Sequence, residues 1–144
     1  MEKKLVINSL NQLQQFFNNL SKCLKGDEII LLKGNLGAGK TASVKALVKA
    51  LGGDENEVSS PTFTLMNEYD TKKGTVYHLD LYRLDFFDIT DIVGNGIVAV
   101  EWPKEDYTQY DFPVIEIEII LLDESKRKLI VKPVYKSDYI LNCF

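Results

Sequence analysis

The sequence predicts a single-domain α/β fold, with a mixed β-sheet, flanking helices and a β-hairpin in the middle of the chain. Residues 28–51 have the pattern of a buried strand, a glycine-rich loop and an amphipathic helix, the start of an α/β unit. Further apolar runs of strand length follow, separated by turn-forming residues. The chain has 144 residues, of which 45% are hydrophobic and 26% charged. These values suit one globular domain, so we assign residues 1–144 to a single domain.

The N-terminal region is expected to form a short strand and then a helix. Val6 and Ile7 suggest the strand, and Ser9 is a residue type that caps helix N-termini. We expect this helix to end at Gly26, because glycine commonly follows the last turn. Its apolar stripe has helical spacing and consists of Leu10, Leu13, Phe16, Phe17, Leu20 and Leu24.

The next strand and helix enclose the glycine-rich loop. Glu28–Lys33 is a compact apolar run, typical of a strand buried on both faces of a sheet. The helix after the loop should end at Gly52-Gly53. Its apolar stripe contains Val44, Leu47, Val48 and Leu51.

The rest of the chain is predicted to supply the hairpin and the remaining strands. Phe63–Tyr69 and Thr75–Asp80 form the hairpin, joined by Asp70–Gly74. Asp85–Gly96 has weak periodicity, so a short helix and an irregular loop both fit it. The remaining strands are Ile97–Trp102, with an acid near its end, and Val114–Leu121, paired with Leu129–Val131 across Asp123–Lys128.

The glycine-rich loop carries the strongest functional signal. Gly34–Thr41 fits G-x-x-x-x-G-K-[ST], between a strand and a helix, which a phosphate-binding loop (P-loop) requires. Backbone N–H groups of such a loop bind phosphates, and the helix dipole favours their charge. Lys40 would reach the β- and γ-phosphates, and the Thr41 hydroxyl would bind Mg²⁺. The sequence therefore predicts a P-loop NTPase-like fold; the alternative is a glycine-rich turn without function.

A P-loop needs an acidic partner for the metal at the end of another buried strand, and two residues compete for that role. Glu101 directly follows an apolar run, so we favour it for the metal. Asp80 ends a shorter run and shares a strand face with His78, and we place it near the γ-phosphate or its attacking water. The alternative for both acids is an exposed carboxylate at a strand end.

Three further features are weaker signals. His78 is the only histidine, and a hydrogen-bonded packing role is more common than catalysis for such a residue. Trp102 is expected to pack beside the P-loop. Ser60–Thr64 is placed like the switch segment that senses a γ-phosphate in other P-loop proteins, and Thr62 is its natural reporter.

Charge and cysteine usage exclude several classes of protein. Residues 1–50 carry a net charge of +5 and residues 51–144 carry −9, so extensive contact of the acidic part with nucleic acid is not expected. Cys23 and Cys143 lie near opposite ends, so we predict neither a disulfide framework nor a zinc site. Apolar runs are too short for a membrane span. We expect a soluble, cytoplasmic protein of a reducing compartment.

The motifs also separate the classes of P-loop protein. The guanine motif N-K-x-D of GTPases is absent from the sequence. A small-molecule kinase usually clamps two phosphorylated substrates with several arginines, and this chain has only Arg83 and Arg127. The residues therefore favour an ATP-binding switch or slow ATPase that acts through a partner. An independent small-molecule kinase and a non-catalytic, nucleotide-gated interaction module stay as alternatives.

Four motifs in this order resemble the TsaE family of bacterial ATPases in tRNA threonylcarbamoyladenosine biosynthesis. They are Gly34–Thr41, Ser60–Leu65, His78–Leu84 and Val100–Pro103. The resemblance implies a mixed α/β P-loop fold and a weak, Mg²⁺-dependent ATPase that supports TsaD and TsaB. Those partners modify the adenosine 3′ of the tRNA anticodon, so tRNA would be an indirect partner of this chain, through the complex.

The resemblance also implies roles for individual residues. Lys40, Thr62, Asp80 and Glu101 would be catalytic, and Thr41 and Glu101 would hold Mg²⁺. ATP would contact Trp102 and the loop residues Gly34, Asn35, Leu36, Gly37, Ala38, Gly39, Lys40 and Thr41.

The chain departs from the family pattern in two places. The family usually has G-K-T-T, whereas Ala42 follows Thr41 here, so one hydroxyl that could contact a phosphate is absent. The segment between Leu84 and Val100 is also short and lacks most of a helix. The first departure is expected to lower nucleotide affinity, and the second to alter the docking surface for partners.

Overall fold

The computed structural model describes residues 1–59 and 65–144. Two α-helices lie in these ranges, α1 (Leu10–Ser21) and α2 (Lys40–Ala50). Short 3₁₀ helices span Glu55–Glu57, Tyr107–Tyr110 and Asp138–Cys143. The strands are β1 (Lys3–Ile7), β2 (Ile29–Lys33), β3 (Met66–Thr71), β4 (Gly74–Asp80), β5 (Ile97–Glu101), β6 (Val114–Leu121) and β7 (Arg127–Tyr135).

All seven strands in the described ranges form one mixed sheet, in the order β1-β7-β6-β2-β5-β4-β3. β2 is parallel to both β5 and β6, and β4 is parallel to β5. The outer pairs, β3 with β4, β6 with β7 and β1 with β7, are antiparallel. The predicted mixed α/β sheet and the hairpin of β3 and β4 are therefore confirmed.

The two faces of the sheet are covered differently. Ile30 and Leu32 of β2 face one side and pack in a cluster with the apolar stripes of α1 and α2. Ile29 and Leu31, at the alternating positions, face the other side, where residues from turns and from the 3₁₀ helix at Tyr107 cover them. In the part of the chain that the structure describes, both α-helices thus lie on one face. Residues 81–96 form turns and bends, so they add no α-helix to the other face.

Element ends are where prediction and structure differ. α1 ends at Ser21, five residues before Gly26. The amides of Lys22 and Cys23 donate hydrogen bonds to the carbonyls three residues earlier, which is the 3₁₀ pattern and not the α-helical one. Residues 81–96 contain turns and bends, so the irregular loop is the correct alternative. β3 begins at Met66, and the predicted start of that strand at Phe63 lies outside the described residues.

The prediction that the two cysteines form no disulfide was wrong. Cys23 and Cys143 form a disulfide, with their Cα atoms 6.2 Å apart. The pair meets because the C-terminal 3₁₀ helix folds back on the end of α1. Ile140 of that helix is buried, and the ring of Phe144 stacks on Phe16 with centroids 5.1 Å apart.

No helix within residues 1–59 and 65–144 is long and apolar enough to cross a membrane.

Candidate functional site

The site lies where three parallel strands end. β2, β5 and β4 are neighbours in the sheet and run in the same direction, so their carboxyl ends meet at one edge. Asp80 at the end of β4 is in register with Glu101 at the end of β5. Leu32 of β2 is also in register with Glu101, and the glycine-rich loop leaves this strand one residue later. The predicted loop and both predicted acids therefore share one edge of the sheet.

Glycine is required at the first position of the loop. A Cβ atom on Gly34 would lie 2.7 Å from the carbonyl oxygen of Ile119, and its φ of +154° disfavours any side chain. Gly39 has a φ of +110° and caps the N-terminus of α2. The first backbone bond from α2 back to the loop joins the amide of Ser43 to the carbonyl of Gly39. Helix geometry leaves the preceding amides, those of residues 40–42, without partners inside the helix, an arrangement that favours an anion.

Lys40 is held across the loop. Its side chain is buried, and Nζ donates hydrogen bonds to the carbonyls of Gly34 (2.6 Å) and Asn35 (2.9 Å). Nζ also lies 4.0 Å from the centre of the Trp102 ring, a cation–π contact. The pKa of the Lys40 ammonium is lowered, because the effect of burial exceeds the opposing effect of the Glu101 and Asp80 carboxylates. Trp102 thus lies beside the loop, as predicted.

Thr41 and Glu101 meet at the start of α2. The Thr41 hydroxyl lies 3.0 and 3.2 Å from the two carboxylate oxygens of Glu101. Glu101 is buried, and its Oε2 is also 2.5 Å from Nε2 of His78. A hydroxyl and a carboxylate in contact are oxygen ligands of the kind that Mg²⁺ takes, with water and phosphates completing its shell. The residues present therefore fit the predicted metal.

Asp80 lines the same cavity as the loop and Glu101. Its Oδ1 accepts a hydrogen bond of 3.0 Å from the amide of Tyr82. This strand-edge cavity has a volume of about 590 Å³. Its walls include Gly37, Lys40, Thr41, Asp80, Arg83, Glu101 and Trp102.

A second cavity lies on the other side of the loop. This helix-side cavity has a volume of about 290 Å³. Its walls include Asn8, Ser9, Leu13, Ala42, Ser43, Ser125 and Arg127. Gly39 and Ala42 line both cavities, so the start of α2 separates them. The Arg127 Nε donates to the carbonyl of Ala38 (2.8 Å) and ties β7 to the loop.

Sequence reasoning missed Tyr82 and Arg83 as wall residues. Both are exposed side chains at the strand-edge cavity, and the Tyr82 ring contacts that of Trp102 with centroids 4.9 Å apart. The sequence did contain a signal for Arg83, which lies only three residues after the predicted site residue Asp80. Thr62 lies outside the described residues, so its place in the site stays a prediction.

A comparison with protein family models tests the resemblance that the four motifs indicate. The family model described as threonylcarbamoyl adenosine biosynthesis protein TsaE matches residues 7–129. The chain belongs to the TsaE family. This match extends beyond the four motifs, because it starts in β1 and ends in β7.

Two relatives of the TsaE family show how far the similarity extends. A protein of Aquifex aeolicus, named tRNA threonylcarbamoyladenosine biosynthesis protein TsaE, is 48% identical over 128 residues, covering 88% of this chain and 93% of its own. A Rickettsia felis protein of the same name is 33% identical over 129 residues, covering 85% of this chain and 75% of its own. The similarity to these TsaE proteins therefore includes both the site and most of the sheet.

A solved structure has the same fold as this TsaE-family chain. The crystal structure of Bacillus subtilis YdiB superimposes with a TM-score of 0.75, covering 99% of this chain and 93% of the other. The two sequences are only 19% identical, so this likeness concerns the fold alone. It agrees with the predicted P-loop-like architecture.

Proposed function

We propose that the chain binds ATP and Mg²⁺ and hydrolyses ATP slowly, in support of TsaD-like and TsaB-like proteins that form threonylcarbamoyladenosine at the position 3′ of the tRNA anticodon. The observation that carries the ATPase part is the contact of Thr41 with both oxygens of Glu101, at the start of the helix that carries Lys40. Membership of the TsaE family carries the pathway.

The two cavities suggest how ATP would lie. The phosphates would bind across the loop in the strand-edge cavity, where Lys40 would exchange two carbonyl oxygens for phosphate oxygens. The adenine would occupy the helix-side cavity, which is mostly apolar and carries a few polar groups from Asn8, Ser125 and Arg127. The start of α2 lies between the two cavities, so a nucleotide that occupied both would cross the first turn of this helix.

The metal would be held by Thr41 and Glu101. Mg²⁺ bound there would neutralise charge on the phosphates and orient them. Asp80 lies on the same wall, in register with Glu101, and would orient the attacking water. Arg83 is exposed at the mouth of this cavity, so its guanidinium is not fixed by packing. A slow reaction that a partner accelerates fits this arrangement.

The pathway is tested in cells. We would deplete the protein, digest bulk tRNA and measure threonylcarbamoyladenosine by mass spectrometry. The wild type and the control Lys45→Ala, an exposed residue of α2, should restore the modification, whereas Lys40→Ala should not. A level that does not change on depletion would contradict the pathway and leave only the ATP site to be tested.

The missing hydroxyl after Thr41 gives a second prediction. Ala42 lines both cavities, so a hydroxyl there would face the nucleotide. Ala42→Thr should raise the affinity for ATP by up to about tenfold, because a hydrogen bond to a charged group contributes about 1.5–3 kcal/mol before the cost of ordering the side chain. Ala42→Val is the matched control, since it has the same shape without the hydroxyl. Calorimetric titration would measure both, and equal affinities would contradict a phosphate contact at this position.

A further inference from the structure

A buried chain of hydrogen bonds connects the Thr41–Glu101 contact to the far edge of the sheet. Glu101 Oε2 lies 2.5 Å from Nε2 of His78. The other ring nitrogen of His78, Nδ1, lies 3.0 Å from the hydroxyl of Tyr69. That hydroxyl in turn lies 3.2 Å from the carbonyl oxygen and 3.4 Å from the amide of Ser59. Strands β5, β4 and β3 thus supply one side chain each to a single path.

The three side chains of this path are buried. His78 has no exposed surface, and Tyr69 and Glu101 are 3% and 4% exposed. Polar groups buried to this extent need partners, because water cannot replace them. Both nitrogens of His78 are occupied, which fixes the orientation of its ring. Apolar neighbours such as Val76 and Ala99 share the cluster in which Tyr69 packs.

The direction of the hydrogen bonds can be worked out at each link. A carboxylate only accepts, so Nε2 of His78 carries the hydrogen that is donated to Glu101. When the ring is neutral, Nδ1 accepts from the Tyr69 hydroxyl, whose oxygen accepts from the amide of Ser59. When the ring is charged, Nδ1 donates to Tyr69, and the hydroxyl donates to the carbonyl of Ser59. Hydrogen bonds therefore join every member of the path in both arrangements, and in both of them Nε2 donates to Glu101.

We propose that His78 is a positioning residue for the metal-binding carboxylate, and that Tyr69 holds its ring in place. The hydrogen bond to Oε2 fixes the rotation of the Glu101 carboxylate, in which both oxygens lie within 3.2 Å of the Thr41 hydroxyl and can face a metal there. This inference rests on the proposed ATPase function. Partners of this kind, which bind the ligand rather than the metal, typically contribute 10- to 100-fold to metal affinity.

Two substitutions of His78 test its hydrogen bonds to Glu101 and to Tyr69 separately. The amide nitrogen of glutamine reaches the place of Nε2, so His78→Gln keeps a donor for Glu101. The amide of asparagine reaches only the place of Nδ1, so His78→Asn keeps the bond to Tyr69 and loses the one to Glu101. Both variants are polar and of similar size, which makes each a control for the effect of the other on packing.

The readout is nucleotide binding rather than turnover. Trp102 is the only tryptophan, and it lies beside Lys40, so its fluorescence should report binding of a non-hydrolysable ATP analogue. In His78→Asn, the Mg²⁺ concentration that gives half of the metal-dependent signal should rise by about 10- to 100-fold. His78→Gln should stay within about threefold of the wild type, and Tyr69→Phe should shift the midpoint in the same direction by a smaller factor.

The outcomes distinguish this inference from the proposed function. If the wild type binds the analogue with Mg²⁺ but His78→Asn and Tyr69→Phe keep its midpoint, the positioning role is wrong and the ATP site stands. If the wild type and Lys40→Ala both fail to bind the analogue, both proposals are overturned. Thermal unfolding of each variant is measured in parallel, and Tyr69→Phe, which removes one oxygen, decides the question if His78→Asn does not fold.

Discussion

Lys40→Ala is expected to lower the rate of ATP hydrolysis by about 10²- to 10³-fold, the usual effect of removing one preorganised donor from charge that develops in a transition state. The Lys40 ammonium is buried at the start of α2, within reach of the loop carbonyls that phosphate oxygens would replace. The carboxylates of Glu101 and Asp80 line the same cavity and would repel the phosphates without this cation.

Hydrolysis would be measured by phosphate release, with and without the TsaD-like and TsaB-like partners. Lys45→Ala is the matched control, because Lys45 is an exposed lysine of the same helix and should leave the rate unchanged. Thermal unfolding shows whether the void left by the buried Lys40 side chain has damaged the fold. Full activity of Lys40→Ala with a normal melting transition would overturn the assignment of the loop as a phosphate site.

The parts of the site that depend on local chemistry were predictable from the sequence. The glycine pattern before Lys40 requires the backbone that the structure has, with Gly39 at a positive φ. Glu101 and Asp80 were recognisable because each follows an apolar run, and parallel strands bring such ends together. Trp102 is the next residue in the chain after Glu101, so it lies in the wall of the same cavity.

The parts that depend on strand register were not predictable in detail. His78 contacts Glu101 only because β4 and β5 are adjacent and parallel, and it contacts Tyr69 only because β3 pairs with β4. The sequence predicted the hairpin of β3 and β4 but not its register, and no spacing in the sequence places β4 beside β5. The lone histidine was assigned a packing role by default, and its burial agrees with that role, while its bond to Glu101 adds a second one.

The covering of the sheet's second face was also beyond the sequence. Asp85–Gly96 has weak periodicity, and a short helix and an irregular loop were equally compatible with it. The structure covers Leu79 and Val98 there with single side chains from turns, such as Ile89, which is buried. Side chains that pack individually leave no repeating pattern in the sequence.

The disulfide has the largest expected effect on stability. Opening it by Cys143→Ser should lower the free energy of unfolding by roughly 2–5 kcal/mol, because the bond closes a loop across a sequence separation of 120 residues. A cross-link over this length removes conformational entropy from the unfolded chain, whereas the folded chain has little such entropy to lose. The melting temperature should fall by roughly 5–20 °C.

A reductant separates the bond itself from the substitution. The wild type in dithiothreitol should melt close to Cys143→Ser, whereas Cys143→Ser should melt at the same temperature with and without reductant. Equal melting of the oxidised wild type and the variant would mean that the disulfide adds nothing to stability. Burial of Ile140 and the stacking of Phe144 on Phe16 would then be sufficient to hold the C-terminal 3₁₀ helix against α1. Because these contacts do not depend on the bond, the reduced chain should still fold, and loss of folding on reduction would show that they are too weak alone.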